Sequence, residues 1–373
     1  MSKLLFLGDF FYDYNNIQKD IDDIASWINR NEYLVILNLE GPLSSNGVKI
    51  KKRGSNLSQS HITIDVLKKL NVIGVCLANN HIMDYDEGGL KETLALLDAN
   101  GILHTGAGTN LTEALQPMVI ELDECKVIIQ NFGWDIEESV YATESTSGCA
   151  PRDEKIIINQ TRRLKDKDCI LVNVYHWGFE YNLYPMPFDI DLAHKSIDAG
   201  CDIIIGHHPH NIQPQENYKE KKIYYSLGNF YFSSRRERFN NRVFPGNIPD
   251  MCNYGAGIVY DCYSHQVTKL YIIYYNPKEN KSEVIKMKEG LIKDITEVDY
   301  QSEDYIKNAK EYSINITPIL TLNEVDNKEK LRKLYKIYKK AEFKNKFFKT
   351  IATIPFVKRF YRLIKKRGEC GNR

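Results

Sequence analysis

The chain has 373 residues, 43% hydrophobic and 27% charged, and a formal net charge of +1. This is the balance of a folded globular protein with a sizeable core. The near-zero charge gives no global reason to expect nucleic acid, and no specific nucleic-acid partner is expected. The even total hides an asymmetry: residues 328–367 hold 16 Lys/Arg against two Asp/Glu, or +14, which leaves the remainder at −13. The eight cysteines are scattered without a C-x-x-C pair, which argues against a zinc ribbon or a disulfide framework. The N-terminal "MSKLLFLGDFFYDY" is broken by Gly8 and Asp9, and no apolar stretch reaches 18 residues. No signal peptide or membrane span is expected, and the main domain is expected in the cytoplasm, peripheral at the inner face of the membrane.

In chain order, the β-rich runs are "KLLFLGD", "YLVILNLE", "VIGVCLAN", "KVIIQNFG", "CILVNVYH", "CDIIIGHH" and "KIYYSLGN". Amphipathic segments at 17–30, 64–70, 88–100, 153–165 and 188–199 alternate with them. Near-continuous apolar strands alternating with helices predict an α/β layered fold with largely parallel pairing. Residues 233–255 read as a lid-like loop and 256–275 as a hairpin turning at Tyr263–Gln266, so that residues 1–275 form one domain around core motifs at 4–232. Residues 276–327 carry no assignable pattern. Residues 328–373 form a basic helical tail: Leu331, Leu334, Tyr338, Ala341, Phe347, Phe348, Ile351 and Ile354 recur at helical spacing among lysines and arginines. The stretch 328–367 suits a solvated helix on the acidic body, an anionic membrane surface, or an acidic polymer or nucleic acid met through phosphate contacts. Anionic vesicles that bind the full chain but not a 1–327 truncation would bear out the membrane reading.

Polar residues collect where these strands end. "FLGD" ends in Asp9, "ILNLE" in Asn38 and Glu40, and "LANNH" in Asn79, Asn80 and His81. "NVYHWGFEY" supplies His176 and Glu180, and "IIGHHPH" supplies His207, His208 and His210. Each alone has a plain explanation: an Asp after Gly is a turn residue, and a His beside Trp packs. Together they aim carboxylate, amide and imidazole groups at one sheet edge, where open α/β sheets bind ligands. Imidazole with oxygen donors and no thiolate suits one or two divalent ions, Mn, Zn or Fe. Alternation along an extended segment turns His208 and His210 to one side and His207 to the other. Ions sharing a carboxylate would activate water at neutral pH, and an imidazole not bound to metal, His81, would protonate the leaving group.

"FLGDFF", "NLEGPL", "LANNHIMDYDEGGL", "VYHWGFEY", "GHHPHNIQP" and "YYSLGNFYF", in this order from Leu4 to Phe232, resemble the motif series of CapA-type capsule and poly-γ-glutamate synthesis proteins. Their domain is similar to the calcineurin-like metallophosphoesterases. The resemblance implies a four-layer α/β/β/α sandwich, with two sheets face to face. It implies Asp9 and His210 as ligands of a first metal, Glu40 at the bridging position, and Asn80, His176 and His208 as ligands of a second. His81 takes the place of the acid. Asp13, Asp84 and Glu180 are expected to orient ligating imidazoles, and Asn38 and Asn229 to support the site or meet substrate. The sequence departs from the phosphoesterase pattern at Phe11, where an Asp-x-His motif would carry histidine, and at Glu40, which replaces an aspartate. The resemblance therefore implies a metal-dependent phosphoesterase-like hydrolase in cell-surface polymer synthesis, acting on an acidic or phosphorylated polymer. The alternative is a non-catalytic metal- or polymer-binding subunit among polymer-synthase subunits. A third reading, an amidohydrolase-type metal barrel, fits less well, because there H-x-H lies on the first strand.

Overall fold

A computed structural model describes residues 2–44, 47–52, 55–122, 125–134, 139–233, 250–276 and 281–286. The first half runs β1 (Lys3–Phe11), α1 (Lys19–Arg30), β2 (Tyr33–Leu39), α2 (Ile62–Lys69), β3 (Val72–Cys76), α3 (Asp86–Ala99) and β4 (Leu103–Thr105). There follow β5 (Ala107–Gly108), α4 (Leu111–Ala114), β6 (Met118–Glu121), β7 (Lys126–Gly133), β8 (Gly148–Cys149), α5 (Glu154–Leu164) and β9 (Cys169–His176). The last part comprises α6 (Pro187–Asp198), β10 (Ile203–His207), β11 (Gln215–Tyr218), β12 (Lys221–Tyr224), β13 (Asn229–Phe232), β14 (Tyr254–Asp261), β15 (Gln266–Asn276) and β16 (Lys281–Lys286).

This is a mixed α/β fold with two large sheets. One has the order β16-β15-β14-β1-β2-β3-β4, with β13 also paired to β1; the other has the order β11-β12-β10-β9-β7-β6. Pairing is parallel from β1 through β4 and among β7, β9, β10 and β12. The hairpins at the edges are antiparallel, as their short connections require.

Alternation along the strands explains the layering. Leu5 and Leu7 of β1, with Val35 and Leu37 of β2, pack with Ile21, Ile24, Ala25 and Ile28 of α1. That i, i+3, i+4, i+7 stripe is the apolar face of a surface helix. Leu4 and Phe6 point the other way, into a second cluster with Ile36, Val127, Ile129, Val172, Val174, Ile203 and Ile205. The second cluster joins residues of both sheets. Burying each such side chain contributes about 1.5–3 kcal/mol. On the far face of the second sheet, Ile128, Cys169 and Leu171 meet Leu164 of α5. That helix is capped by Asp153, whose Oδ1 accepts the Lys155 and Ile156 N–H groups at 2.9 and 3.1 Å.

Several expectations shift. The single sheet edge becomes an edge shared by two sheets, with β1–β3 on one and β9 and β10 on the other. The expected loop 233–255 is shorter, because Tyr254 and Gly255 already belong to β14 and Asp250–Asn253 forms a 3-10 turn; residues 234–249 lie outside the described residues. The unassigned stretch contributes β16, which pairs with β15. The basic tail, 328–373, lies outside the described residues. Among the described residues no helix is long and apolar enough to cross a membrane.

Candidate metal centre

The tips of β1, β2, β3, β9 and β10 bring their polar residues into one buried cluster. Chain closeness at its base demands glycine: a Cβ on Gly8 would stand 2.0 Å from the Gly228 carbonyl oxygen. The Asp9 N–H donates to that same oxygen at 2.9 Å, which fixes the β1 tip against the loop leading into β13.

Asp9 is fully buried. Its Oδ1 accepts from Asn38 Nδ2 at 2.8 Å and lies 3.3 Å from His207 Nδ1. Its Oδ2 lies 3.2 Å from His210 Nδ1 and 3.3 Å from the His208 backbone nitrogen. Burial pushes this carboxyl up, but hydrogen bonds and charge from His207 and His210 outweigh it and hold it well below the usual range. Ligand atoms of Asp9, Glu40 and His210 all lie within 4.8 Å of one another, a grouping able to hold a metal ion.

The tautomer of His210 follows from its neighbours. Asn229 Nδ2 donates to the Cys252 carbonyl at 2.9 Å, so Asn229 Oδ1 must be the atom that faces His210 Nδ1 at 2.9 Å. An amide oxygen can only accept, so Nδ1 carries the proton. In the neutral imidazole that a metal ligand requires, Nε2 would keep the lone pair, on the side of Glu40 Oε1, 3.5 Å away. A hydrogen bond of this kind from the remote nitrogen is what orients ligating imidazoles.

A second group lies beside the first. His176 Nε2 is 2.9 Å from Asn80 Oδ1, and its buried Nδ1 has no hydrogen-bond partner among the described residues. The His176 and His208 rings are 4.7 Å apart between centroids, and those of His208 and His210 are 6.1 Å apart. Burial, reinforced by His208, holds His176 well below the usual imidazole range. Burial likewise pushes His208 down to about 4. Both rings are therefore neutral at pH 7 with lone pairs to offer.

His81 stands at the rim of the cluster, its Nε2 3.9 Å from Glu40 Oε1 and its Nδ1 2.7 Å from Asp84 Oδ2. Burial pushes its imidazole down, against the opposing hydrogen bond to Asp84. Asn79 locks the loop that carries it, donating to the Leu39 carbonyl at 2.8 Å and accepting the His81 N–H at 3.2 Å. The sequence reading missed Lys52. Its side chain, 2% exposed, is ion-paired with Asp84. Its Nζ lies 2.9 Å from His81 Nδ1 and donates to the Asn80 carbonyl at 3.1 Å. In the run "KIKKR" nothing separates Lys52 from an ordinary solvated loop lysine.

Of the remaining candidates, Glu180 Oε1 lies 3.9 Å from His210 Nε2. Asp13 is exposed, with its backbone N–H donating to Ser233 Oγ at 2.7 Å. His207 does not turn away from the cluster as alternation predicted: it is buried, with Nδ1 against Asp9. The reason is backbone conformation. His208 and His210 have φ of 94° and 60°, so the chain leaves the extended form at the end of β10 and strand periodicity no longer applies. Phe11 is buried against Phe232, with ring centroids 5.2 Å apart, and offers no ligand.

Among the described residues the donor set suits a divalent ion: buried carboxylates, an amide oxygen, the neutral imidazoles of His176 and His208, a buried ring nitrogen on His176 with no hydrogen-bond partner, and no thiolate.

Among known proteins, the chain is 34% identical over 221 residues to the PGA biosynthesis protein CapA of Bacillus subtilis (strain 168), covering 58% of each chain. It is 33% identical over 182 residues to the capsule biosynthesis protein CapA of Bacillus anthracis, covering 48% of this chain and 44% of that one. The chain thus spans about half the length of these curated relatives. A 5'-nucleotidase precursor from Thermus thermophilus aligns at a TM-score of 0.41 with 12% identity, over 83% of this chain and 58% of that one, a score at which the likeness decides nothing. The family model described as "Bacterial capsule synthesis protein PGA_cap" matches residues 3–234, which include every residue of the cluster, and the chain belongs to that family.

Proposed function

We propose that this chain is a metal-dependent hydrolase of the phosphoesterase type, working in the synthesis or release of an acidic cell-surface polymer such as poly-γ-glutamate. The observation that carries the reading is the convergence of Asp9, Glu40 and His210 beside Asn80, His176 and His208. In this reading, residues 1–275 act as one domain with a four-layer α/β/β/α arrangement. The cluster between the strand tips holds one or two ions: Mn, Zn or Fe. Asp9, Glu40 and His210 would hold one and Asn80, His176 and His208 the other. A bound divalent ion supplies charge neutralisation for a phosphoryl group and an activated water. His81, with Nδ1 turned to Asp84 and Nε2 toward Glu40, would deliver a proton to the leaving group.

A second reading, a polymer- or metal-binding subunit of a membrane-associated synthase, is favoured by Phe11, which packs on Phe232 and leaves the first position short of an imidazole.

Metal analysis of the protein purified with Mn, Zn or Fe, beside His208→Ala and His210→Ala, tests the assignment together with a phosphoesterase panel. His208→Ala should lose metal more completely than His210→Ala. The second position rests on two imidazoles and an amide, whereas the first keeps Asp9 and Glu40. Wild type that holds no metal defeats the site. Metal without turnover transfers the case to the binding subunit.

A further inference from the structure

Resting on that metal reading, we infer that Asn131 is a positioning residue for the metal position formed by Asn80, His176 and His208. That position takes its donors from both sheets: Asn80 follows β3 of one, while His176 ends β9 and His208 follows β10 of the other. Its geometry therefore depends on how the two sheets are set against each other at their tips. The apolar cluster between them supplies attraction but no direction. A hydrogen bond has direction, and Asn131 of β7 makes one across the sheets: its Oδ1 accepts the Ala78 N–H at 2.6 Å. Its Nδ2 donates to the Val174 carbonyl of β9 at 3.3 Å. A single orientation of the amide serves both partners. Ala78 stands two residues before Asn80, and Val174 two residues before His176. Asn131 thus grips both chains just ahead of the two side chains whose Oδ1 and Nε2 atoms meet at 2.9 Å.

The surroundings keep room for this link. Asn131 is buried, and a Cβ on Gly106 would stand 2.2 Å from its Oδ1 and 2.8 Å from the Ala78 nitrogen. Gly106 also has φ of 98°, a conformation that strains any side chain. On the same face of β7, a Cβ on Gly133 would meet the Ala78 carbonyl oxygen at 2.9 Å. The Gly106 carbonyl accepts the Ala150 N–H at 2.8 Å, and the Ala150 carbonyl accepts the Gly133 N–H at 2.9 Å. Just beyond, the Trp134 N–H donates to the His176 carbonyl at 3.0 Å, so the end of β7 is fastened to the backbone of a proposed ligand. The preceding residue of β7 carries an equally buried amide that faces the other way. Gln130 Nε2 donates to Asn173 Oδ1 at 2.9 Å and lies 3.5 Å from Thr161 Oγ1 of α5. One amide serves the helix behind the sheet, and the other serves the strand tips.

The full-length chain, stripped of metal and titrated with Mn²⁺ alone by calorimetry, tests the inference in wild type, Asn131→Ala and Gln130→Ala. Asn131→Ala should weaken a Mn²⁺ binding event about tenfold, the lower end of the loss on removing a support of a metal site, and should change the Mn²⁺ EPR spectrum at saturation. Gln130→Ala removes a buried amide of the same strand and should leave both affinity and spectrum as in wild type. Melting of the stripped proteins establishes that each variant folds. Where Asn131→Ala does not, Asn131→Ser, which loses less volume, carries the same comparison. Unchanged Mn²⁺ affinity at position 131 overturns the inference and leaves the metal reading intact, and so does equal weakening by Gln130→Ala. Wild type without Mn²⁺ binding overturns the metal reading itself.

Discussion

Among the described residues two cation–carboxylate pairs are almost wholly buried, and they are wired differently. Lys52 pairs with Asp84, with side-chain exposures of 2% and 0%. Arg152 pairs with Asp189 at 2.7 Å, with exposures of 6% and 0%. Asp84 spends its second oxygen on the site: Oδ2 faces His81 Nδ1 at 2.7 Å and accepts the Leu57 N–H at 2.6 Å. Asp189 Oδ2 has no hydrogen-bond partner among the described residues, nor does Arg152 Nε. The guanidinium is instead enclosed by the rings of Trp134, Trp177 and Phe188, 5.3–5.8 Å from its carbon. The same ion-pair chemistry thus serves two ends. One pair passes its orientation to the His81 imidazole, and the other holds aromatic packing behind the His176 loop.

Breaking each pair should separate these roles. Arg152→Met leaves Asp189 buried and alone, a loss of about 3–5 kcal/mol, read as a fall in the urea midpoint. Arg152→Met combined with Asp189→Leu should recover most of that loss, and Mn²⁺ binding by the folded protein should be unchanged. Lys52→Met should cost less, about 2 kcal/mol, because Asp84 keeps two other donors. Its larger effect should fall on the site, lowering Mn²⁺ affinity about tenfold as the Asn80 carbonyl loses its anchor. Equal stability losses with equal metal affinity would remove the distinction.

Of the four residues in these pairs, the sequence singled out only Asp84. The strands were legible because their apolar runs are buried on both faces, and their tips because carboxylate, amide and imidazole side chains recur at the ends of β1, β2, β3, β9 and β10. His81, Asp84 and Asn80 came with that pattern. Lys52 did not, since lysine in a polar run carries no signal until a buried carboxylate is seen opposite it. The direction of His207 failed for a backbone reason, the left-handed conformation of His208. The β11–β12 hairpin turns through Lys219 and Glu220 at φ of 50° and 65°, a conformation usually announced by Asn or Gly. Pairing of the strand tips across two sheets depends on tertiary contacts, which no local periodicity encodes.

The pairs should also differ in their response to pH. Burial pushes the Asp189 carboxyl up to about 6, in spite of Arg152 beside it. An unfolded Asp titrates near about 3.9, so between about pH 4 and 6 the folded state holds a proton that the unfolded state has lost. The stability due to this group is present below about pH 4 and is lost as pH rises through 6, with a ceiling of about 3 kcal/mol at 1.36 kcal/mol per pH unit. The depressed imidazoles of His81, His176 and His208 act in the opposite sense, because the unfolded state takes up protons first as pH falls. The difference between wild type and Asp189→Asn isolates the carboxyl. Wild type should lose stability relative to Asp189→Asn between pH 4.5 and 7 in urea unfolding. A constant difference would show that Asp189 does not titrate there.

The smallest expected effect addresses what the aromatic rings do for Arg152. Its Cζ lies 5.4 Å from the Phe188 ring, close enough for the electron-rich face to attract a desolvated cation. Such contacts contribute about 0.5–2 kcal/mol. Phe188→Leu keeps much of the apolar volume and the backbone carbonyl at 3.4 Å from Arg152 Nη2 while removing the ring. It should cost about 1 kcal/mol in the presence of Arg152. Part of that cost is packing, since Phe188 also meets Trp134 at 5.4 Å between centroids. A double-mutant cycle with Arg152→Met separates the two, because packing persists without the guanidinium and the cation term does not. The coupling should be about 0.5–1 kcal/mol. A coupling indistinguishable from zero would make the rings a packing shell, with the carboxylate alone holding Arg152 in place.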